Sequence, residues 1–272
     1  MTLISELLQS RYGATSSAPG IANPTLATLL EHKSVRQFLP DILPHGTLEL
    51  IVAAAQSAPT SSNLQTWSVV ALEESGLKAE AATLCGDQDF IRQAPLFLIF
   101  CADLSRLTKV SEQHQTQGEG LEFTEMFLMA SLDAAFAAQN AVVGAESLGL
   151  GTCYVGAARN NSREMASLLH LPPRVLALFG LAIGKPNPTK PASIKPRLSQ
   201  DEVLHRSRWN NDTQKDNLAA YDKTLADFNA QEQRKDLPLW TYRSAHRVES
   251  IASLHGRHVL HEVLQERGFN LR

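Results

Sequence analysis

Residues 122–147, EFTEMFLMASLDAAFAAQNAVVGAES, decide the fold. As a helix the run extends about 40 Å. It is apolar on nearly every face and is closed by Gly149. So few charges over such a length require cover on most sides, more than one domain of this size supplies. A second copy of the chain is therefore expected as the other wall. The wider tract 121–148 does not read as a membrane span, because Asp133, Gln139, Asn140 and Glu146 interrupt it and each is costly in lipid.

Outward from this tract lie two continuous apolar runs, 94–102 and 175–183, of strand length and the composition of strands buried on both faces. Shorter strands are expected at 66–72 and 152–155, and an edge strand at 202–208. Asn23 and Pro24 fit an N-cap and first helical position, with Leu26, Leu29 and Leu30 forming the inward face of a helix that ends near His32. Helices are expected at 47–56, ahead of Pro59, and at 77–85, stopped by Gly86. Asn161 with Glu164 has the spacing of a capping box. Leu218, Tyr221, Leu225 and Phe228 mark an amphipathic helix, and a last one runs over 259–267 to Gly268. Pro186, Pro188, Pro191 and Pro196 mark an irregular connection. Turn-rich RYG and SSAPG make residues 1–22 a loosely held N-terminal extension. The whole reads as α+β with an interleaved sheet.

The chain has 272 residues, 25 Lys+Arg against 28 Asp+Glu, a formal net charge of -3 and an isoelectric point near 6.3. That balance provides no general basic field, so neither nucleic acid nor an anionic membrane is an expected partner. Cys85, Cys101 and Cys153 are odd in number and lack metal-site spacing, and read as buried thiols in a reducing compartment. The N-terminus MTLISELLQSRYG carries Glu6, has no basic start and is followed by no small-residue cleavage site, so a cytoplasmic protein is expected. GxGxxG after a strand, GxxxxGK[ST] and GxSxG are all absent. His255, His258 and His261 step about 60° short of a turn on a helix and would not converge on a metal. They read as a solvated helix face.

Chemistry is carried by five small clusters: HKSVR (32–36), APTSSNLQTW (58–67), Gln88, GLGTCYVG (149–156) and IKPR (194–197). His32, Lys33 and Ser34 offer a cation, a second donor and a hydroxyl to a phosphate, with Arg36 two residues further on. Lys195 and Arg197, stiffened by Pro196, add two more cations.

These segments resemble the nitroreductase superfamily of FMN-dependent NAD(P)H oxidoreductases. HKSVRQF is similar to its HRSxRxF segment, and APTSSNLQTW to its PSSxNxQPW loop. SLGLGTCYVGAARNN and KPR resemble the branch of oxygen-insensitive NADPH nitroreductase A and flavin reductase P, and GRHVLHEVLQERGF its final helix. The resemblance implies a central, mostly antiparallel sheet flanked by helices in an interlocked homodimer built on long central helices. It implies an FMN-binding core at 23–200 and a C-terminal extension, 201–272, completing the dimer and the substrate and nicotinamide pocket.

Carried over by residue, His32, Lys33 and Ser34 would hold the FMN phosphate with Lys195 and Arg197, while Arg36 and Gln88 would face the pyrimidine edge. The backbone of Tyr154, Val155 and Gly156 would approach the N5 and O4 side. Thr60, Ser61, Ser62 and Asn63 would reach the cofactor from the other subunit, and Arg257 would lie near the substrate. Arg234 and Lys235 are candidates for the 2'-phosphate of NADPH, diluted by Glu232 and Asp236, so NADH remains an alternative donor. Lys33 replaces the branch's Arg, Ala157 a glycine, and Asn63 an aromatic. The implied activity is ping-pong hydride transfer from NAD(P)H through FMN to a nitroaromatic, quinone or flavin, with no protein nucleophile or acid–base dyad. Arg36 would favour the reduced cofactor electrostatically. Rival readings are a flavin storage or sensor protein without turnover, and a dehydrogenase tailoring enzyme on the same fold.

Overall fold

A computed structural model describes residues 3–13 and 23–272. In chain order the elements begin with α1 (Leu3–Tyr12), α2 (Pro24–Glu31), α3 (Thr47–Gln56), β1 (Trp67–Leu72), α4 (Ser75–Leu84) and α5 (Asp89–Gln93). Then come β2 (Leu96–Asp103), α6 (Ser105–Gln113), α7 (Thr124–Ser147), β3 (Gly151–Val155), α8 (Ser162–Leu168) and β4 (Val175–Gly184). The chain closes with α9 (Gln200–Val203), α10 (Gln214–Gln231), α11 (Trp240–Arg247) and α12 (Leu260–Glu266). It divides into two compact units.

The larger unit comprises Ser34–Ala192 and His255–Arg272. Its antiparallel sheet has the order β1-β2-β4-β3. The apolar runs expected as doubly buried strands are β2 and β4; every residue of β2 is buried, as are all but one of β4. Alternation assigns Phe97, Ile99 and Cys101 to one face, against Ala81, Ala82 and Met165. Leu98, Leu181 and Ile183 belong to the other, against Ile51, Ala137, Ala138 and Ala141. Large side chains fully buried in this way contribute about 1.5–3 kcal/mol each, so these two layers dominate the unit's stability. All three cysteines are buried and free, and burial pushes the Cys85 and Cys101 thiols up to about 12.

Helix α7 is the expected long tract. By length and composition it is apolar enough to cross a membrane. Its buried residues, however, are mostly alanines of the protein's own core, together with the ionisable Asp133. Small side chains let it lie close to α3: a Cβ on Gly144 would come within 2.9 Å of the Ala54 Cβ. Its other face leaves Leu128, Leu132 and Phe136 exposed at 51%, 46% and 47%.

The smaller unit comprises the described residues up to Lys33 together with Ser193–Leu254. Asn23 caps α2 as expected, accepting from the Thr25 and Leu26 amides at 2.9 and 3.2 Å. Helix α10 supplies the expected amphipathic face through Tyr221 and Leu225. Tyr221 meets Trp240 edge to face.

Four expectations are corrected. Within the stretch read as a loose extension, α1 is a helix whose Ile4, Leu7 and Leu8 pack with Ala27, Leu30 and Ile194; residues 1–2 and 14–22 lie outside the described residues. Residues 202–208 form no strand. The short helix α9 takes their start, and Val203 and Leu204 stay exposed. Asn161 does not cap α8, because its side-chain amide donates to the Leu84 carbonyl at 2.7 Å. His255, His258 and His261 do not share a helix face: His255 has a left-handed backbone, His258 lies in a 3-10 turn, and only His261 is in α12.

Candidate functional site

Residues 34–38 run beside the edge strand β3. Ser34 bridges Thr152 in parallel, the Val35 amide donates to the Thr152 carbonyl at 2.8 Å, and Phe38 bridges Pro186. Val35 and Phe38 are buried, whereas Ser34 and Arg36 are exposed. Gly151 makes this pairing possible, since a Cβ there would fall 2.7 Å from Val35. Burial pushes the Cys153 thiol of β3 up, and the Arg36 cation offsets only part of that rise. Beyond Thr152 no strand or bridge among the described residues continues along that edge.

At the end of β3 the chain turns through a 3-10 helix, Gly156–Arg159. A Cβ on Gly156 would meet only the Arg159 guanidinium, at an ordinary 3.6 Å, so the fold itself leaves this backbone uncovered. Tyr154 is partly exposed, with its ring edge-on to Phe179 and its hydroxyl 3.4 Å from Gln139 Oε1. Arg159 donates to the Leu178 carbonyl, and burial together with the neighbouring Arg257 cation lowers its pKa.

Asn160 and Asn161 gather the remaining pieces. Arg257 Nε donates to Asn160 Oδ1 at 2.8 Å. Gly256 has a positive φ and no room for a side chain, because its Cβ would fall 2.6 Å from the Asn160 carbonyl oxygen. Asn161 holds the end of α4 through Leu84, just before the turn that carries Gln88. Gln88 is half-buried and donates its amide to the Cys85 carbonyl at 2.7 Å. Ser34 and Arg36 thus lie along β3, which leads through Tyr154 and Val155 to Gly156, and Arg257 is held at the turn that follows. Sequence reasoning gave Arg159 and Asn160 no role, although both lie in a quoted motif.

The loop 60–66 is organised elsewhere, on α7. Asp133, 2% exposed, accepts from the Thr60 hydroxyl at 2.7 Å, the Ser61 amide at 3.0 Å, and the Thr66 hydroxyl and amide at 3.0 and 3.2 Å. Burial pushes this carboxyl up, but the four hydrogen bonds outweigh it and hold it below the usual carboxylate range. Ser62, Asn63 and Gln65 take left-handed backbone angles, which present Ser61, Ser62 and Asn63 at the surface. Their hydrogen bonds run to α7 and within the loop, not to β3. Beside them a hollow of about 390 Å³ lies against Leu128, Leu132 and Phe136.

In the smaller unit, the His32 and Lys195 segments meet at Arg11. Its guanidinium donates to the carbonyls of Leu30, His32 and Lys195 at 2.8, 3.0 and 3.0 Å. Tyr221 holds the Pro196 carbonyl at 3.0 Å, leaving Lys195 and Arg197 exposed on either side. Lys33 is exposed as well. Arg234 and Lys235 lie exposed in the turn after α10.

These residues suit a flavin mononucleotide. In the larger unit, uncovered backbone at Gly156 suits a flat ring and Arg36 offers an exposed cation; in the smaller unit, the exposed Lys33, Lys195 and Arg197 suit a phosphate. An antiparallel sheet packed on a long alanine-rich helix defines a class of fold. The chain belongs to the nitroreductase family, whose sequence profile matches residues 29–185, and the profile of that family's C-terminal domain matches 195–272.

Within the family it is 35% identical to an FMN reductase (NADPH) of Bacillus subtilis, over 91% of this chain and 99% of that protein. It is 38% identical to an oxygen-insensitive NADPH nitroreductase of Salmonella typhimurium, over 76% and 82% of the two chains. The solved structure of NfrA2 from B. megaterium superposes with a TM-score of 0.87 at 31% identity, covering 92% of this chain and all of that one.

Proposed function

We propose that this protein is an FMN-dependent NAD(P)H oxidoreductase passing two electrons to a nitroaromatic, quinone or flavin, and that it works as a homodimer in the cytoplasm. The observation that carries this reading is the edge of β3, where Ser34 bridges Thr152, Arg36 stands exposed, and the backbone at Gly156, just past the strand, has room beside it. When bound, FMN supplies the hydride-accepting ring.

The chain's own residues supply position and field. Lys33, Lys195 and Arg197, with His32 and Ser34, neutralise the phosphate. Arg36 and Gln88 address the pyrimidine edge, where Arg36 stabilises the negative charge that arrives on reduction. Tyr154, Val155 and Gly156 offer backbone to the ring. Arg257 supplies a cation for the anionic part of an acceptor, and Arg234 and Lys235 one for the donor's 2'-phosphate. Thr60, Ser61, Ser62 and Asn63 serve the site of a second copy, brought there by the apolar face of α7. Residues 23–200 form the cofactor-binding core and 201–272 its C-terminal completion.

Steady-state kinetics test the reading. Varying NADPH at several fixed concentrations of a nitroaromatic, a quinone or free FMN should give parallel double-reciprocal lines. No turnover with any of the three classes by FMN-loaded protein would leave a storage or sensor protein instead.

A further inference from the structure

The family profiles begin at residue 29, so α1 precedes everything the family defines in this chain. We propose that α1 is a clamp for the phosphate end of the cofactor site, with Arg11 as its positioning residue. This rests on the roles given above to His32, Lys33, Lys195 and Arg197. Ile4, Leu7 and Leu8 dock α1 against Ala27, Leu30 and Ile194. Arg11 follows one turn later on the same face and is only 7% exposed.

Its guanidinium grips Leu30 and His32, at the C-terminal end of α2, and Lys195, far along the chain. Cations at a helix C-terminus are favoured, and a planar fork of N–H donors fixes several carbonyls at once where an ammonium would not. The Arg11 carbonyl in turn accepts from the Arg197 amide at 2.9 Å. One residue therefore joins both basic segments through its side chain and its backbone. Lys33, Lys195 and Arg197 carry like charges, and bringing them together before a phosphate arrives is opposed by their repulsion. The contacts of Arg11 offset that repulsion, so a dianion meets a site already assembled.

The test compares two ligands that share a ring and differ in the phosphate, FMN and riboflavin. Dissociation constants are measured by flavin fluorescence on cofactor-free protein, alongside its thermal melting. In R11M, FMN should bind about tenfold more weakly while riboflavin changes less than about twofold, so discrimination between them falls. Unchanged discrimination in R11M overturns the clamp, whether both affinities hold or both fall together. Should R11M not fold, R11K carries the same test: it keeps the charge without the fork, and a smaller loss of discrimination is expected, unchanged discrimination again overturning the clamp. A wild-type protein that binds neither flavin overturns the proposed function and the clamp with it. A wild type that discriminates, matched by variants that discriminate equally, overturns the clamp alone.

Discussion

Asp133 shows how one buried charge can organise a loop. Its carboxylate takes four hydrogen bonds from Thr60, Ser61 and Thr66, and its pKa lies below the usual carboxylate range because those bonds outweigh burial. A carboxyl depressed in the fold contributes stability above the pKa of the unfolded chain, about 4, and loses it as pH falls through the folded value. D133N, which turns an acceptor toward these donors into an amide, should therefore unfold about 1–3 kcal/mol more easily at neutral pH. The gap to wild type should narrow in strong acid. Urea titrations at both pH values check this, and equal stability at neutral pH would contradict it. Sequence reasoning met Asp133 only as an interruption in an apolar tract, because its partners lie about seventy residues away.

The alternation of Ser34, Val35 and Arg36 around one buried side chain leaves Arg36 exposed, as the role proposed for it requires. R36A should weaken FMN binding or lower the flavin's reduction potential. FMN titration and spectroelectrochemistry would read both, and no change in either would contradict the role given to this cation.

At the scale of elements, the exposed face of α7 stands out. Leu128, Leu132 and Phe136 follow one another at four-residue intervals, each about half exposed. Light scattering should find twice the 29.8 kDa mass of one chain. L132E should shift the population toward single chains, because a carboxylate there would have to be desolvated. A wild type that runs at the single-chain mass would contradict the dimer.

Strands β2 and β4 could be read directly because burial on both faces leaves an unbroken apolar signature, and α7 because it is apolar over most of its length, although one face is exposed. Helix α3 was equally clear, bounded by Thr47 and Gln56 as expected. Helix α1 was not: its inward stripe is Ile4, Leu7, Leu8 and then Arg11, so a cation occupies the position where a fourth apolar residue would complete the pattern. Helices α5, α6 and α11 also went unread, being short and largely polar. The Asn161 side chain makes no cap bond because it is turned toward α4, where its Nδ2 donates to the Leu84 carbonyl.

For the molecule as a whole, the net charge of -3 contrasts with the exposed cations Lys33, Arg36, Lys195 and Arg197, to which the proposed function gives the phosphate and the pyrimidine edge. The protein contributes charge and position, and the cofactor contributes reactivity. The proposed role therefore asks for no nucleophile and no acid–base dyad from the chain. The central claim is that bound FMN takes hydride from a nicotinamide donor, and an anaerobic titration of FMN-loaded protein with NADPH tests it most directly. The account predicts that the flavin's visible absorbance bleaches with one equivalent per chain and returns when a quinone is added. Protein that takes up no FMN, or whose bound FMN keeps its colour under excess NADPH and NADH, would contradict it.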